Sequence, residues 1–369
     1  NAQSMRILTT GMLRDTETQG LDLSCATLAG VAKYPWTRGT PPCSDQDRTV
    51  PGASINTKKR CPNGGDCGVE CRQQRTWKKF NFYAEHENLL AETREFSTVG
   101  TGIQTLEASV MDLADDISYA VHDLEDFLLS GIIDHNRVLE SLEDFNTRDN
   151  TDGPLASFAS SLDVKYGGRY DAKDFNDSVR YVQGRLTSLF ATLYRDSKAS
   201  HSLKAAKVAM FASSEIGEYV NPNAIAFSTE PLWGDYGPHI SLISPLWHRV
   251  QILKWITRTF IIGEADIALL QRGQRHILEG LVRNLISWAA DKEDRDRLPR
   301  QLFEQLEIAE KLASGEYKVG YGAEQHAPRG NPNRAILDYV CTLSDGQCVA
   351  LFEKLSGTRV HSGGIKESF

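Results

Sequence analysis

The stretch LADDISYAVHDLED, which begins at residue 113, brings together side chains that can bind metals and phosphates. It holds five carboxylates, one histidine and one tyrosine. In a helix, Asp115, Tyr119 and His122 are spaced i, i+4, i+7 and share one face, whereas Asp116 and Asp123 share the neighbouring face. A carboxylate held among such neighbours is costly unless a cation or hydrogen-bond donors compensate its charge. The pattern therefore favours a metal or a bound ligand.

The same stretch has a second interpretation, which is an acidic helix face in contact with water. Helix physics alone favours this solvated face, which would consist of Asp116, Asp123, Glu125 and Asp126. A single helix also supplies too few metal ligands, because a catalytic metal takes three or more protein groups from separate segments. We further expect contacts on more than one side of the helix, since one opposite stripe is not expected to hold all of Ile117, Ala120, Val121 and Leu124.

Composition places the chain among globular proteins with a large core. Of its 369 residues, 40% are hydrophobic and 24% are charged. The net charge of −8 argues against a protein that coats nucleic acid, although local basic patches can still bind phosphates. No stretch approaches eighteen consecutive apolar residues and no signal peptide is evident. We therefore expect a cytoplasmic protein without a membrane span.

Helical periodicity dominates the chain and predicts a mainly α, multi-helix fold. The exceptions are a Cys/Gly/Pro-rich insertion loop over residues 37–76, a polar connection over 150–172, and a segment over 208–237 that allows a short hairpin. A helix over LSCATLAGVA is expected to begin after Ser24 and to end before Pro35.

Four stretches carry a resemblance to a known family. MDLADDISYAVHDLED resembles the third metal-binding segment of the deoxyguanosine triphosphate triphosphohydrolase (dGTPase-like) family, part of the HD-domain phosphohydrolase superfamily. NAQSMRILTT is similar to that family's GNAQSLRIL helix, and GLDLSCATLAGVAKYPW to its following helix and KYPW turn. NRAILDYVCTLSD is similar to its C-terminal DYIAGMTD segment. The four stretches occur in the family's order and span nearly the whole chain.

The resemblance implies metal-dependent hydrolysis of dGTP or another dNTP to the deoxynucleoside and inorganic tripolyphosphate. The metal, expected to be Mg, Mn or a similar divalent ion, is held in the family by a histidine, a His-Asp pair and a distant aspartate. Asp115 matches that distant aspartate and so becomes the expected catalytic metal ligand. Tyr119 and Asp123 fall where the family contacts its substrate, whereas Asp116 lies beside the metal without being a ligand.

The resemblance also implies a domain organisation and partners. Residues 1–149 correspond to the remaining part of an HD-type catalytic domain, with the insertion loop at 37–76. Residues 150–369 form a C-terminal helical region that completes the core and carries oligomer contacts. We expect a homo-oligomer, and we consider nucleic acid only as a regulator.

The family's histidine and His-Asp ligands precede the NAQS helix. We therefore expect these ligands in a segment upstream of Asn1, and we expect a preparation of residues 1–369 alone to release no tripolyphosphate. The His122-Asp123 dipeptide lies within the third segment and is not the missing pair. The alternative is a catalytically inactive nucleotide-binding or oligomerising subunit that has lost the metal site.

The insertion loop has its own candidate site. Four cysteines there could hold a structural zinc, form disulfides or remain free thiols, and these are Cys43, Cys61, Cys67 and Cys71. Elsewhere, His86 could ligate or donate to a phosphate, but helical histidines more often pack. Basic residues that could meet a triphosphate or an allosteric nucleotide, or balance nearby acids, are Lys254, Arg258, Arg272 and Arg275. Core or interface positions are expected for Trp233, Trp247, Trp255 and Trp288.

Overall fold

The computed structural model describes most of the chain. The described residues are 1–11, 20–37, 79–95, 97, 99–100, 102–147, 152–194, 200–232, 237–314 and 331–357. The insertion loop with its four candidate cysteines lies outside them, except for residue 37, as does Trp233. Within this part of the chain, no helix is long and apolar enough to cross a membrane.

The described residues are mainly helical, as the sequence predicts. They form helices and one two-stranded antiparallel sheet. The helices are α1 (Ala2–Arg6), α2 (Cys25–Val31), α3 (Glu87–Arg94), α4 (Leu106–Ser130), α5 (His135–Thr147), α6 (Pro154–Tyr166), α7 (Ala172–Tyr194), α8 (His201–Tyr219), α9 (Ser244–Thr257), α10 (Ala265–Ala290), α11 (Arg300–Ser314), α12 (Pro332–Thr342) and α13 (Asp345–Leu355). The strands are β1 (Ile225–Phe227) and β2 (Ile240–Leu242). Helix α2 begins after Ser24 and ends before Pro35, which confirms that expectation.

The chain divides into two compact units. The first contains Asn1, Cys25–Asn81 and Arg94–Ile267, and the second contains Ala2–Ser24, Phe82–Thr93 and Ala268–Phe369. The predicted division at residue 149 remains a prediction. In the first unit, α4 packs against α2, α8, α9 and β2, while α7 packs against α5 and α9. Helix α4 is therefore a central element of this unit.

Helix α4 carries the acidic stretch, and its ends are defined by local chemistry. Thr105 caps its start by accepting a hydrogen bond from the backbone N–H of Ala108. Gly131 ends it with a left-handed φ of 73°, a conformation that glycine adopts without steric cost. The expectation for its apolar residues was wrong, because these four buried side chains are spaced i, i+3, i+4, i+7 and form one stripe: Ile117, Ala120, Val121 and Leu124.

The polar connection expected over residues 150–172 was also wrong in its first part. The structure places α6 there, from Pro154 to Tyr166. Proline suits the first turn of a helix, because its φ is already helical and its missing N–H would have no intrahelical acceptor. Leu155, Ala159 and Leu162 then recur at i, i+4, i+7 and are buried in the core of the first unit. The remaining connection is a short turn that includes Gly167–Arg169 and leads into α7.

A hairpin is present, but only its first strand lies within the predicted segment, because β2 follows that segment at Ile240–Leu242. Helix α8 continues to Tyr219, so the hairpin begins only at Ile225. Its register pairs Ile225 with Leu242 and Phe227 with Ile240. In the second unit, α11 packs against α12, and buried leucines of α10 and α11 share a core with the buried Tyr339.

Candidate functional site

Two carboxylates of α4 pair with one lysine from another segment. Lys33 follows α2, and its Nζ lies 2.9 Å from Asp115 Oδ2. The same ammonium group pairs with Asp112, which lies one turn earlier on α4. The side chain of Asp115 is still 40% exposed. Asp115 therefore faces a position that holds a cation while its carboxylate remains open to solvent.

A buried amide fixes this ion pair in place. Gln104 Nε2 donates to the backbone oxygen of Lys33 at 2.9 Å and to Asp112 Oδ2 at 3.0 Å. Ser109 Oγ, in the first turn of α4, donates to Gln104 Oε1 at 3.1 Å. One glutamine thus ties the backbone at Lys33 to the carboxylate that Lys33 pairs with. Because the Lys33 backbone and the Asp112 carboxylate are already held by Gln104, less conformational entropy is lost when Lys33 and Asp112 form their ion pair.

Lys33 remains positively charged despite its burial. Burial alone would lower the pKa of its ammonium group, but the charge of Asp112 and hydrogen bonds to Asp112 and Asp115 raise that pKa above its ordinary value. The group is therefore a permanent cation at neutral pH.

Two further cations approach the same turn of α4. Lys254 of α9 pairs with Asp116 at 2.7 Å. Arg169, in the turn before α7, donates to Ser241 Oγ, and its guanidinium carbon lies 4.5 Å from the centre of the Trp247 ring. Burial lowers the pKa of Arg169 to about 10, against the opposing charges of Tyr166, Asp116 and Asp112. Arg169 thus stays charged at neutral pH and lies within electrostatic range of those two aspartates.

A third lysine lies near Lys33 beside an aromatic ring. The Nζ atoms of Lys33 and Lys79 lie 5.9 and 5.6 Å from the centre of the Tyr34 ring. Tyr34 is held by its backbone N–H, which donates to Asn81 Oδ1 at 2.6 Å. Trp36 Nε1 donates to the backbone oxygen of Lys79 at 3.0 Å. Lys33, Tyr34 and Lys79 therefore form a basic, aromatic group, of which Lys33 contacts Asp115.

Several known proteins with related sequences share one name. No protein-family model matches the chain. The chain is similar to proteins named deoxyguanosinetriphosphate triphosphohydrolase-like. It is 37% identical to one from Streptomyces coelicolor over 39% of this chain and 27% of that protein. It is 28% identical to one from Corynebacterium efficiens over 64% of this chain and 45% of that protein. With one from Shewanella pealeana it shares 27% identity over 98% of this chain and 69% of that protein.

The first two of these relatives are longer than their matched part. The chain spans 27% of the length of the Streptomyces relative and 45% of the Corynebacterium one. The Shewanella match covers nearly all of the chain, so the similarity is not confined to one motif. At these identities and coverages the chain is similar to proteins named dGTPase-like, and its own activity is a matter for proposal.

The structure places the other predicted site residues along the same helix. Tyr119 lies one turn beyond Asp115 and is 58% exposed. Asp123 lies two turns beyond Asp115 and is half-buried. Burial raises the pKa of Asp123, Asp126 raises it further, and His122 opposes the rise. The roles predicted for these residues remain predictions; Tyr119 shares the face of Asp115, whereas Asp123 lies on the neighbouring face with Asp116.

His122 is separate from the ion pairs around Asp115. Its Nδ1 lies 3.0 Å from Glu125 Oε2 on the same helix, and its side chain is exposed. In the described part of the chain, no group of three or more His, Cys, Asp or Glu side chains could hold a metal ion. Asp115 thus has the chemistry of a metal ligand, but the other donors of a complete site are not among these residues.

The remaining candidates are mainly structural. His86 is buried in the second unit and accepts from Arg6 at 3.1 Å. Of the four basic candidates, Lys254 contacts α4, whereas Arg275 pairs with Glu279 on its own helix at 2.7 Å. Trp247 and Trp255 are buried in the first core, and Trp288 packs against the second.

Sequence reasoning did not single out Lys33, Gln104 and Asp112. Lys33 belongs to the KYPW stretch, and Asp112 lies three residues before Asp115. Helical spacing i, i+3 indicates that the two aspartates share a face. Their pairing with Lys33 required the fold, since Lys33 and Asp115 are separated by 82 positions.

Proposed function

We propose that this protein is a dNTP triphosphohydrolase, which hydrolyses dGTP or another dNTP to the deoxynucleoside and inorganic tripolyphosphate. The observation that carries the proposal is the arrangement around one turn of α4. Asp112, Asp115 and Asp116 meet Lys33 and Lys254, which come from two other segments. The names of the similar proteins support the same reaction.

The cations of this site are suited to a triphosphate. Lys33 and Lys254 offer rotating ammonium donors, and Arg169 offers a planar guanidinium whose donors match phosphate oxygens. Each of these cations lies near a carboxylate of α4. A triphosphate can therefore replace that carboxylate as the partner of the cation, and no side chain has to change its protonation state. Tyr119, on the face of Asp115, and Asp123, on the neighbouring face, would contact the substrate.

Asp115 would supply one ligand of a divalent cation. Its oxygen already holds an ammonium group at 2.9 Å, and carboxylate oxygen is the ligand that Mg²⁺ and Mn²⁺ prefer. The other donors would come from outside the described residues. Such a cation, when bound, polarises phosphate oxygens and lowers the pKa of water. In the proposed reaction, water attacks the α-phosphorus, and the 5′ oxygen of the deoxyribose leaves with a proton.

Substitution of Asp115 tests the proposal. Tripolyphosphate release is measured for the four dNTPs with Mg²⁺ or Mn²⁺, on the purified protein with all segments that natively accompany it. We expect Asp115→Asn to reduce release at least about a hundredfold, since a neutral amide is a poor ligand for a hard cation. Asp126→Asn, an exposed acid of the same helix, is the matched control and is expected to keep activity. Equal activity of both variants would contradict the proposal.

A second candidate function is an inactive subunit that binds nucleotides or supports oligomers. One observation favours it: Lys33 neutralises Asp115, as in a purely structural ion pair. The same assay separates the two functions, because an inactive subunit would bind dNTP without releasing tripolyphosphate under any metal condition. Homo-oligomer formation, regulation by nucleic acid, a structural zinc in the insertion loop and a cytoplasmic location remain proposals based on the sequence.

A further inference from the structure

The turn that carries Arg169 is attached to α9 by a buried histidine. The backbone N–H of Asp171 donates to His248 Nε2 at 3.2 Å. The opposite ring nitrogen, Nδ1, donates to the backbone oxygen of Ser244 at 2.7 Å. His248 is fully buried, and this hydrogen-bond pattern requires the neutral ring with its proton on Nδ1. The imidazole thus connects the turn to α9 through one acceptor and one donor.

Aromatic rings surround this connection and extend it to Arg169. The His248 ring lies 5.6 Å from the ring of Tyr170 and 4.9 Å from that of Trp247. Trp247 also lies under the guanidinium of Arg169. The adjacent residues Trp247 and His248 therefore hold the turn at two points, one at the Arg169 side chain and one at the Asp171 backbone.

We propose that His248 is a positioning residue for phosphate binding: its hydrogen bond from Asp171 keeps Arg169 over Trp247 and beside the carboxylates of α4. The inference rests on the proposed function, in which Arg169 contacts the triphosphate. Without this bond, the Asp171 N–H would lose its partner and the turn would be free to move. Arg169 would then be less ordered in the free protein. Binding of the triphosphate would have to order it, and this entropy cost would weaken binding.

Two polar substitutions separate the two hydrogen bonds of His248. Glutamine places an oxygen near the former Nε2 position, so His248→Gln can still accept from Asp171. Asparagine is shorter, so His248→Asn can reach Ser244 and not Asp171. The test measures binding of inorganic tripolyphosphate to the chain by calorimetry, without divalent cations. We expect Arg169→Ala to weaken binding about tenfold, the loss of one charged hydrogen bond. We expect His248→Asn to match it and His248→Gln to remain near the unsubstituted affinity.

A double-mutant cycle identifies the route of the effect. If His248 acts through Arg169, combining His248→Asn with Arg169→Ala weakens binding no further than either change alone. Ser178→Ala is the matched control. Ser178 Oγ donates to the Pro245 backbone oxygen at 2.9 Å, and this hydrogen bond joins α7 to α9 away from the turn. Its effect should be small and independent of Arg169. Amide hydrogen exchange at Asp171 should quicken in His248→Asn and not in His248→Gln.

The outcomes distinguish this inference from the proposed function. Additive effects in the cycle, or equal losses in both His248 variants, overturn the positioning role, and so does an unsubstituted chain that does not bind tripolyphosphate. Coupled losses in the chain, when the protein with all segments that natively accompany it hydrolyses no dNTP, support the positioning role and refute the enzyme. Hydrolysis with tripolyphosphate binding that is insensitive to Arg169 supports the enzyme and refutes the positioning role.

Discussion

Lys33 combines a structural and a functional requirement in one side chain. It pairs with both Asp112 and Asp115, and it is also a cation of the kind that binds phosphate. Removing it should therefore affect both folding and binding. This dual effect distinguishes it from Lys79, which is exposed and also lies near the Tyr34 ring.

We predict that Lys33→Met lowers the free energy of unfolding by about 1 to 2 kcal/mol, because it leaves two partly buried carboxylates without their cation. Because the folded pKa of Lys33 is raised, its contribution is complete below the ordinary lysine pKa of 10.5 and is lost only at higher pH. The difference between the two proteins should thus stay constant from about pH 7 to pH 9. Urea denaturation at several pH values measures it. Lys173→Met, at an exposed position of α7, is the control, and an equal loss there would contradict the prediction.

Asp123 should show the opposite relation between stability and function. Its folded pKa is raised, so its charged form costs stability above the ordinary pKa of 3.8, and this cost disappears at lower pH. We predict that Asp123→Asn raises the unfolding free energy at neutral pH by less than about 0.5 kcal/mol, since solvent screens a half-buried group. It should also weaken dNTP binding. Thermal denaturation at neutral and acidic pH, together with dNTP titration, tests both parts. A stabilised variant with unchanged binding would remove Asp123 from the substrate site.

At the scale of elements, α4 carries the carboxylates of the site, and the residues at its two ends determine where this helix begins and stops. Gly131 adopts a left-handed φ of 73°, whereas Gly184 lies within α7 with open space around it. We predict that Gly131→Ala destabilises the protein by about 1 kcal/mol, because alanine is strained at positive φ. Gly184→Ala should stabilise it by about 0.5 to 1 kcal/mol, because alanine favours a helix interior. Denaturation of both variants is the measurement, and shifts of the same sign would contradict this account.

The elements also show how far local sequence reasoning reaches. The acidic face of α4 was predictable, because spacing within one helix fixes which side chains are neighbours. The apolar stripe from Ile117 to Leu124 was also predictable from spacing within the helix, because the spacing i, i+3, i+4, i+7 places its residues on one side. Helix α6 was missed because Gly153-Pro154 resembles a break, although proline is favourable in a first helical turn. The ion pairs of Lys33 and Lys254 depend on tertiary packing, which no local periodicity encodes.

At the scale of the whole molecule, the cations of the site belong to a chain whose net charge is negative. The net charge of −8 disfavours the approach of an anion, and this repulsion is screened beyond roughly 8 Å at physiological salt. A triphosphate is then attracted mainly by cations that it can contact. In the proposed function, Lys33, Lys254 and Arg169 would supply such contacts without a metal ion, whereas Asp115 would act through one. Binding and hydrolysis should therefore have different metal requirements.

Metal removal tests this separation. We predict that a chelator abolishes tripolyphosphate release from dNTPs and that Mg²⁺ or Mn²⁺ restores it. In the proposed function, hydrolysis requires the divalent cation that Asp115 would bind. Binding of inorganic tripolyphosphate should persist in the chelator with less than about a tenfold loss, since the lysine and arginine donors belong to the chain. Calorimetry with and without chelator measures binding, and Asp115→Asn provides the comparison: its residual binding should not respond to metal. Binding that disappears together with hydrolysis would show that the metal, and not the cations around α4, holds the triphosphate.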